Sequence, residues 1–177
     1  MTEKMDKPNK FLVFDVESIG LHGEGFAVGW VLVEGREQTH EGRFSCPPDQ
    51  AGGHNAARYW VKENIPRIFP DDCRTPKQVR DRFWELWDHH RLEGALLVAD
   101  CAWPVEARFL AACVDDDPGP REWGGPYPLH DLASIVLAKG GDPMATRERT
   151  ERELPIHDPL ADARQSARLL VEALREE

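Results

Sequence analysis

The chain has 177 residues, 41% hydrophobic and 31% charged, which fits one globular domain and argues against a disordered or fibrous chain. Its net charge of −10 argues against the basic stripe with which proteins grip long duplexes through their phosphates. No apolar run approaches the ~20 residues that span a bilayer, so no membrane partner is expected.

Residues 1–9 are polar and read as a solvated tail without the apolar stretch of a signal peptide. A single domain is expected over 10–177. Residues 11–17 (Phe-Leu-Val-Phe-Asp-Val-Glu) are apolar and partly β-branched, and read as a strand. Turn chemistry over 20–25 leads to a buried strand at 26–33. Glu34-Gly35-Arg36 makes a hairpin turn, and 37–46 is a polar third strand nearer an edge. These form an antiparallel meander. Residues 54–64 suit a short helix and 66–74 an irregular connection. Thr75-Pro76-Lys77-Gln78 has an N-cap threonine, a proline at the first helical position and a glutamine at the third. The helix it opens should run to about His90, with Val79, Phe83, Leu86 and Trp87 on one face.

Residues 95–99 are a compact apolar strand, and Pro104 opens a helix carrying Val105, Phe109 and Ala112. Residues 115–127, rich in Asp, Gly and Pro, are expected as a surface loop. A helix is expected over 129–139, ended by Gly140-Gly141, followed by a charged connection over 142–156. The last helix starts near Pro159 with Leu160, Ala163, Ala167, Leu170 and Leu174 on one stripe. A meander followed by alternating helices and strands specifies a mixed α/β domain. Cys46, Cys73, Cys101 and Cys113 form no CxxC pair and read as reduced thiols of a cytoplasmic protein.

Three acidic groups stand out. Asp15 and Glu17 are two apart on a strand, so their side chains point to the same face. Two charges within an apolar strand are costly to bury unless a cation neutralises them, and oxygen donors suit Mg²⁺ or Mn²⁺. Asp100 and Glu106 lie where an apolar strand gives way to a helix, the place where ligands gather in open α/β sheets. In His157-Asp-Pro-Leu-Ala-Asp162, five helical steps turn through about 500°, so the two end residues do not share a helix face. Asp158 as N-cap and Pro159 at the first helical position place His157 on the entering loop and point Asp162 inward. His130 reads as structural, and His22, His40, His54, His89 and His90 as exposed.

In these residues the chain resembles the DEDDh exonucleases, the DnaQ-like group of the RNase H-like fold. Phe-Asp15-Val-Glu17 resembles the family's first motif, and His157-x4-Asp162 is a specific match to the third. Residues 129–143 are similar to the helix that precedes it. The resemblance runs from about residue 10 to the end. The second motif departs: counting back from Phe109-Leu110 puts Glu106 where the family has aspartate, with Asp100 slightly upstream, and both stay open as the ligand.

The resemblance implies a five-stranded sheet, an antiparallel meander plus parallel strands, flanked by helices. It further implies 3′–5′ exonuclease activity on DNA or RNA that releases nucleoside 5′-monophosphates. Two ions of Mg²⁺ or Mn²⁺ would be held by Asp15, Glu17, Asp162 and either Glu106 or Asp100, with His157 as general base, a task suited to an imidazole. Ser18, Ile19, Gly20 and Leu21 would line the terminal nucleotide's pocket. Leu21 or Trp103 would pack on a base, although Trp103 equally suits a core anchor. The expected partner is single-stranded or 3′-end nucleic acid, and a homodimer stays open. Two other readings remain: a nucleic-acid-binding module weakened in chemistry through Glu106, and a hydrolase of short oligonucleotides or dinucleotides.

Overall fold

The computed structural model describes residues 8–66 and 70–175. Of the tail expected over 1–9, residues 1–7 lie outside this range, as do residues 67–69 of the connection 66–74. The meander forms as expected from β1 (Lys10–Ser18), β2 (Gly25–Glu34) and β3 (Glu37–Ser45). Gly35 takes the φ of +65° that the tight β2–β3 turn requires. After α1 (Asn55–Asn64) and α2 (Pro76–Leu92), β4 (Leu96–Ala99) joins β1 in parallel, with Phe14 opposite Ala99. The sheet order is β3-β2-β1-β4-β5, so the strand carrying Asp15 and Glu17 is central.

The alternation of β1 divides the molecule into two layers. Leu12, Phe14 and Val16 face one cluster with Val61 of α1 and Val79, Phe83 and Trp87 of α2. Phe14 and Phe83 pack with tilted rings, centroids 5.1 Å apart. Phe11 and Val13 face the other way, onto Val98 and the apolar stripe Ala163, Ala167, Leu170 of α6 (Pro159–Arg175). Asp15 and Glu17 continue that second face beyond the last core residue. They therefore emerge beneath the start of α6. Each large apolar side chain buried in these layers contributes roughly 1.5–3 kcal/mol.

The α2 start follows the sequence, since the Thr75 side chain accepts from Gln78 N at 3.3 Å. Four expectations need correction. The helix expected over 129–139 begins three residues later: His130–Asp131 is instead a fifth strand, β5, parallel to β4. Asp131 then caps α5 (Leu132–Ala138) by accepting from Ser134 N. Two residues are too few to show a strand period. The loop expected over 115–127 contains the end of α3 (Ala107–Asp116) and a short helix, α4 (Pro118–Arg121), opened by Pro118. The helix expected to open at Pro104 begins as a π-helical turn, Ala102–Glu106, in which Trp103 stays extended. His90 is half-buried rather than exposed.

Candidate metal centre

The acids reach the site from several elements. Asp15 and Glu17 stand at the C-terminal end of β1, and Glu17 is only 8% exposed. Glu106 closes the π-helical turn, 7% exposed, and its Oε1 accepts from Val16 N at 3.3 Å, which ties the turn to β1. Asp162 comes from the first turn of α6. Asp100 follows β4 and lies exposed at the rim, beside a cavity of about 470 Å³ that Arg147, Arg149 and Gln165 also line.

The approach of α6 depends on Gly29. It pairs with Asp15 across β1 and β2, and a Cβ there would meet the Pro159 backbone at 2.1 Å. Glycine in a strand marks such a close passage, a signal the sequence carries. Asp158 caps α6: its Oδ1 accepts from Leu160 N at 3.0 Å and Ala161 N at 3.1 Å, while Oδ2 pairs with Arg43 at 2.8 Å. Asp162 thus sits at the positive end of the helix dipole, where a carboxylate is favoured.

His157 precedes this cap with a φ of +61°, in the left-handed region that histidine enters more readily than most residues. Its backbone N–H donates to Asp162 Oδ2 at 3.0 Å, and its Nδ1 lies 3.9 Å from Glu17 Oε1. Trp60 of α1 packs edge-on against its ring, centroids 5.2 Å apart. Arg149 takes the other oxygen of Asp162, Oδ1. Trp60, Gly29 and Arg149 were not singled out from the sequence.

The charges crowd one another. Burial, then the charges of Glu17, Asp162, Glu106 and Asp100, hold the Asp15 carboxyl well above the usual range. Burial and the charges of Asp162, Glu106 and Asp158 push Glu17 to about 9. Burial raises Glu106 to about 7, against the pull of hydrogen bonds from its own backbone and Val16. Asp162 is raised by burial and pulled back mainly by Arg149. Loss of solvation raises Asp100, opposed most by a hydrogen bond with Ser166. These interactions bring together Asp15, Glu17, Glu106, Asp162 and Asp100. Oxygen donors that repel one another in this way fit a hard divalent cation. Ligand atoms of Glu17, His157 and Asp162 all lie within 4.8 Å of one another, close enough to share one ion.

The residues after Glu17 divide. Ser18 is buried and its Oγ donates to Gly20 O at 2.8 Å. Ile19 is buried beside a cavity of about 500 Å³ also lined by Pro48, Arg58, Val61 and Lys62. Gly20 has a φ of +70°, and a Cβ there would meet Ala57 at 2.8 Å. Leu21 is 64% exposed and Trp103 67% exposed, so Trp103 is not a core anchor.

No protein-family model and no curated protein matches the sequence. Solved structures do. E. coli Exonuclease I in complex with a dT13 oligonucleotide superposes with a TM-score of 0.65 at 14% identity, over 94% of this chain and 40% of that one. The Exonuclease I from Methylocaldum szegediense gives 0.65 at 15% identity, over 95% and 41%. A 3′-exonuclease that recognises the 3′ end of a histone mRNA stem-loop gives 0.53 at 16% identity, over 95% and 64%. The fold is that of the RNase H-like exonucleases. The chain spans less than two thirds of each of these three proteins. Within the exonuclease fold, the acids lie at the end of the central strand and the start of α6. No helix among the described residues is long and apolar enough to cross a membrane.

Proposed function

We propose that this chain is a metal-dependent 3′–5′ exonuclease that removes nucleotides one at a time from nucleic-acid ends. The observation that carries this reading is the meeting of Asp15, Glu17, Glu106 and Asp162 with His157 in an exonuclease fold. Asp15, Glu17, Glu106 and Asp162, with Asp100 at the rim, would hold two ions of Mg²⁺ or Mn²⁺. When bound, such ions neutralise the phosphate, activate the attacking water and stabilise the leaving oxygen.

The chain's own residues supply the rest. His157 stands with Nδ1 toward Glu17, leaving Nε2 to take the proton of the attacking water. The Glu17 carboxylate then stabilises the imidazolium. The left-handed backbone at His157 and the edge of Trp60 fix the ring's direction. Leu21 and Trp103 are exposed and offer apolar surface to an unstacked base. The buried Ser18 and Ile19 and the half-buried Gly20 form the backbone turn beneath the terminal nucleotide. With a net charge of −10, the preferred partner is a single-stranded 3′ end drawn in by bound cations rather than a long duplex. The four cysteines lie outside any disulfide, in keeping with a reducing cytoplasmic setting.

The deciding experiment is digestion of 5′-labelled single-stranded DNA and RNA with Mg²⁺, Mn²⁺ or EDTA, beside Asp15→Asn. A cation-dependent ladder that shortens from the 3′ end and is lost in the variant supports the proposal. No cleavage with either metal refutes it.

A further inference from the structure

Asp162 has both carboxylate oxygens engaged by groups of the chain. Oδ2 accepts from the His157 backbone, and Oδ1 from the Arg149 guanidinium. The Arg149 contact is built rather than incidental. The same Nη1 also donates to Glu153 O at 2.9 Å. Glu153 is buried, its side chain held by Arg168 at 2.7 Å and by Thr150 N at 2.9 Å in a capping box. Arg149 is therefore anchored on a rigid turn and leans over the centre. A bond from a guanidinium to a carboxylate is among the stronger ones a side chain makes, and its positive charge competes with a cation for Oδ1.

Displacement does not strand the guanidinium. Arg149 borders the cavity of about 470 Å³ together with Asp100, Thr146, Arg147 and Gln165. Its anchor to the Glu153 carbonyl does not involve Asp162. Two arginines beside a centre that handles phosphodiesters present a complementary charge to a phosphate, and the planar fork of Arg149 matches its oxygens.

We propose that Arg149 is a built-in counter-ion that yields Asp162 to a divalent cation and in exchange takes a phosphate oxygen of the nucleotide. This rests on the exonuclease reading above and adds an order of events: cation first, phosphate second. By linkage, each ligand then raises the affinity for the other.

The test is titration of the full chain and of Arg149→Met with Mn²⁺, followed by spin resonance. A nucleoside 5′-monophosphate is then titrated with Mn²⁺ saturating. Arg149→Met should bind Mn²⁺ about tenfold more tightly, the effect of removing one charge-assisted bond, and should bind the monophosphate about tenfold more weakly. Arg149→Lys keeps the charge without the fork and should fall between the two proteins. It also serves in place of Arg149→Met should that variant fail to fold. Unchanged or weaker Mn²⁺ binding in Arg149→Met overturns the counter-ion. Tighter Mn²⁺ with unchanged monophosphate binding overturns the exchange. Absence of any Mn²⁺ binding that Asp15→Asn abolishes would instead overturn the metal centre itself, and the exchange with it.

Discussion

Removing one negative charge from the acidic centre should make the metal-free chain more stable, although it removes a candidate ligand. Glu106 is the clearest case, because a glutamine in its place preserves its size and its acceptance from Val16 N. Its carboxyl is raised from 4.5 to about 7 in the fold. Between those values the unfolded chain releases a proton that the folded chain retains, so folding stability falls as pH rises across the window and stays reduced above it. At ~1.36 kcal/mol per unit, the full cost is about 3 kcal/mol. For a chain of this length, that corresponds to roughly 6–12 °C in melting temperature. Thermal melts in EDTA should therefore show Glu106→Gln above the unsubstituted chain by an amount of this order at pH 8. At pH 4.5 the gap should nearly close. Mg²⁺ at pH 8 should recover stability in the unsubstituted chain and do less for the variant. Equal melting temperatures at pH 8, or a gap of the same size at pH 4.5, would refute the view that the centre is electrostatically strained without its cation.

Other substitutions probe the parts separately. His157→Asn, a residue that tolerates the left-handed backbone, should keep the fold and lower turnover at least about a hundredfold; near-normal cleavage would remove the histidine from the chemistry. Gly29→Ala should drive the start of α6 off β2, costing roughly 1–3 kcal/mol and weakening Mn²⁺ binding, both measurable in one titrated melt. An alanine that leaves metal affinity intact would show that the close passage does not position Asp162. Asp158→Ala should cost about 1–2 kcal/mol through loss of the helix cap, with denaturant unfolding as the check. A cost near zero would mean Arg43 and Asp158 contribute nothing net.

Much of this arrangement can be read from residue pattern. The alternation in β1 places Asp15 and Glu17 on the same side as Phe11 and Val13, and the cap chemistry of Asp158 and Pro159 sets the start of α6. Gly29 is equally legible, as a glycine inside an apolar strand, but its meaning depends on which helix passes over it, and that is tertiary information. β5 could not be seen, because His130 and Asp131 owe their conformation to Val98 and Ala99 rather than to any period of their own. Arg149 lies in a connection without hydrophobic periodicity. The Thr150-x-x-Glu153 spacing beside it is a capping-box signature, yet nothing local says that the adjacent guanidinium reaches Asp162. The different settings of Asp100 and Glu106 likewise needed the fold, which buries Glu106 against β1 and leaves Asp100 at the rim.

The placement of the acids on β1 and α6 also has a consequence in time. Asp15 and Asp162 are brought together only when the last helix has docked on a central strand made near the other end of the chain, a contact of very long sequence separation. Such contacts carry the largest loop-closure cost and depend on the rest of the structure being in place. A partly folded or nascent chain holds Asp15 and Glu17 without Asp162, and so lacks a complete centre. In the proposed exonuclease, metal binding at full strength would thus be a late reporter of folding.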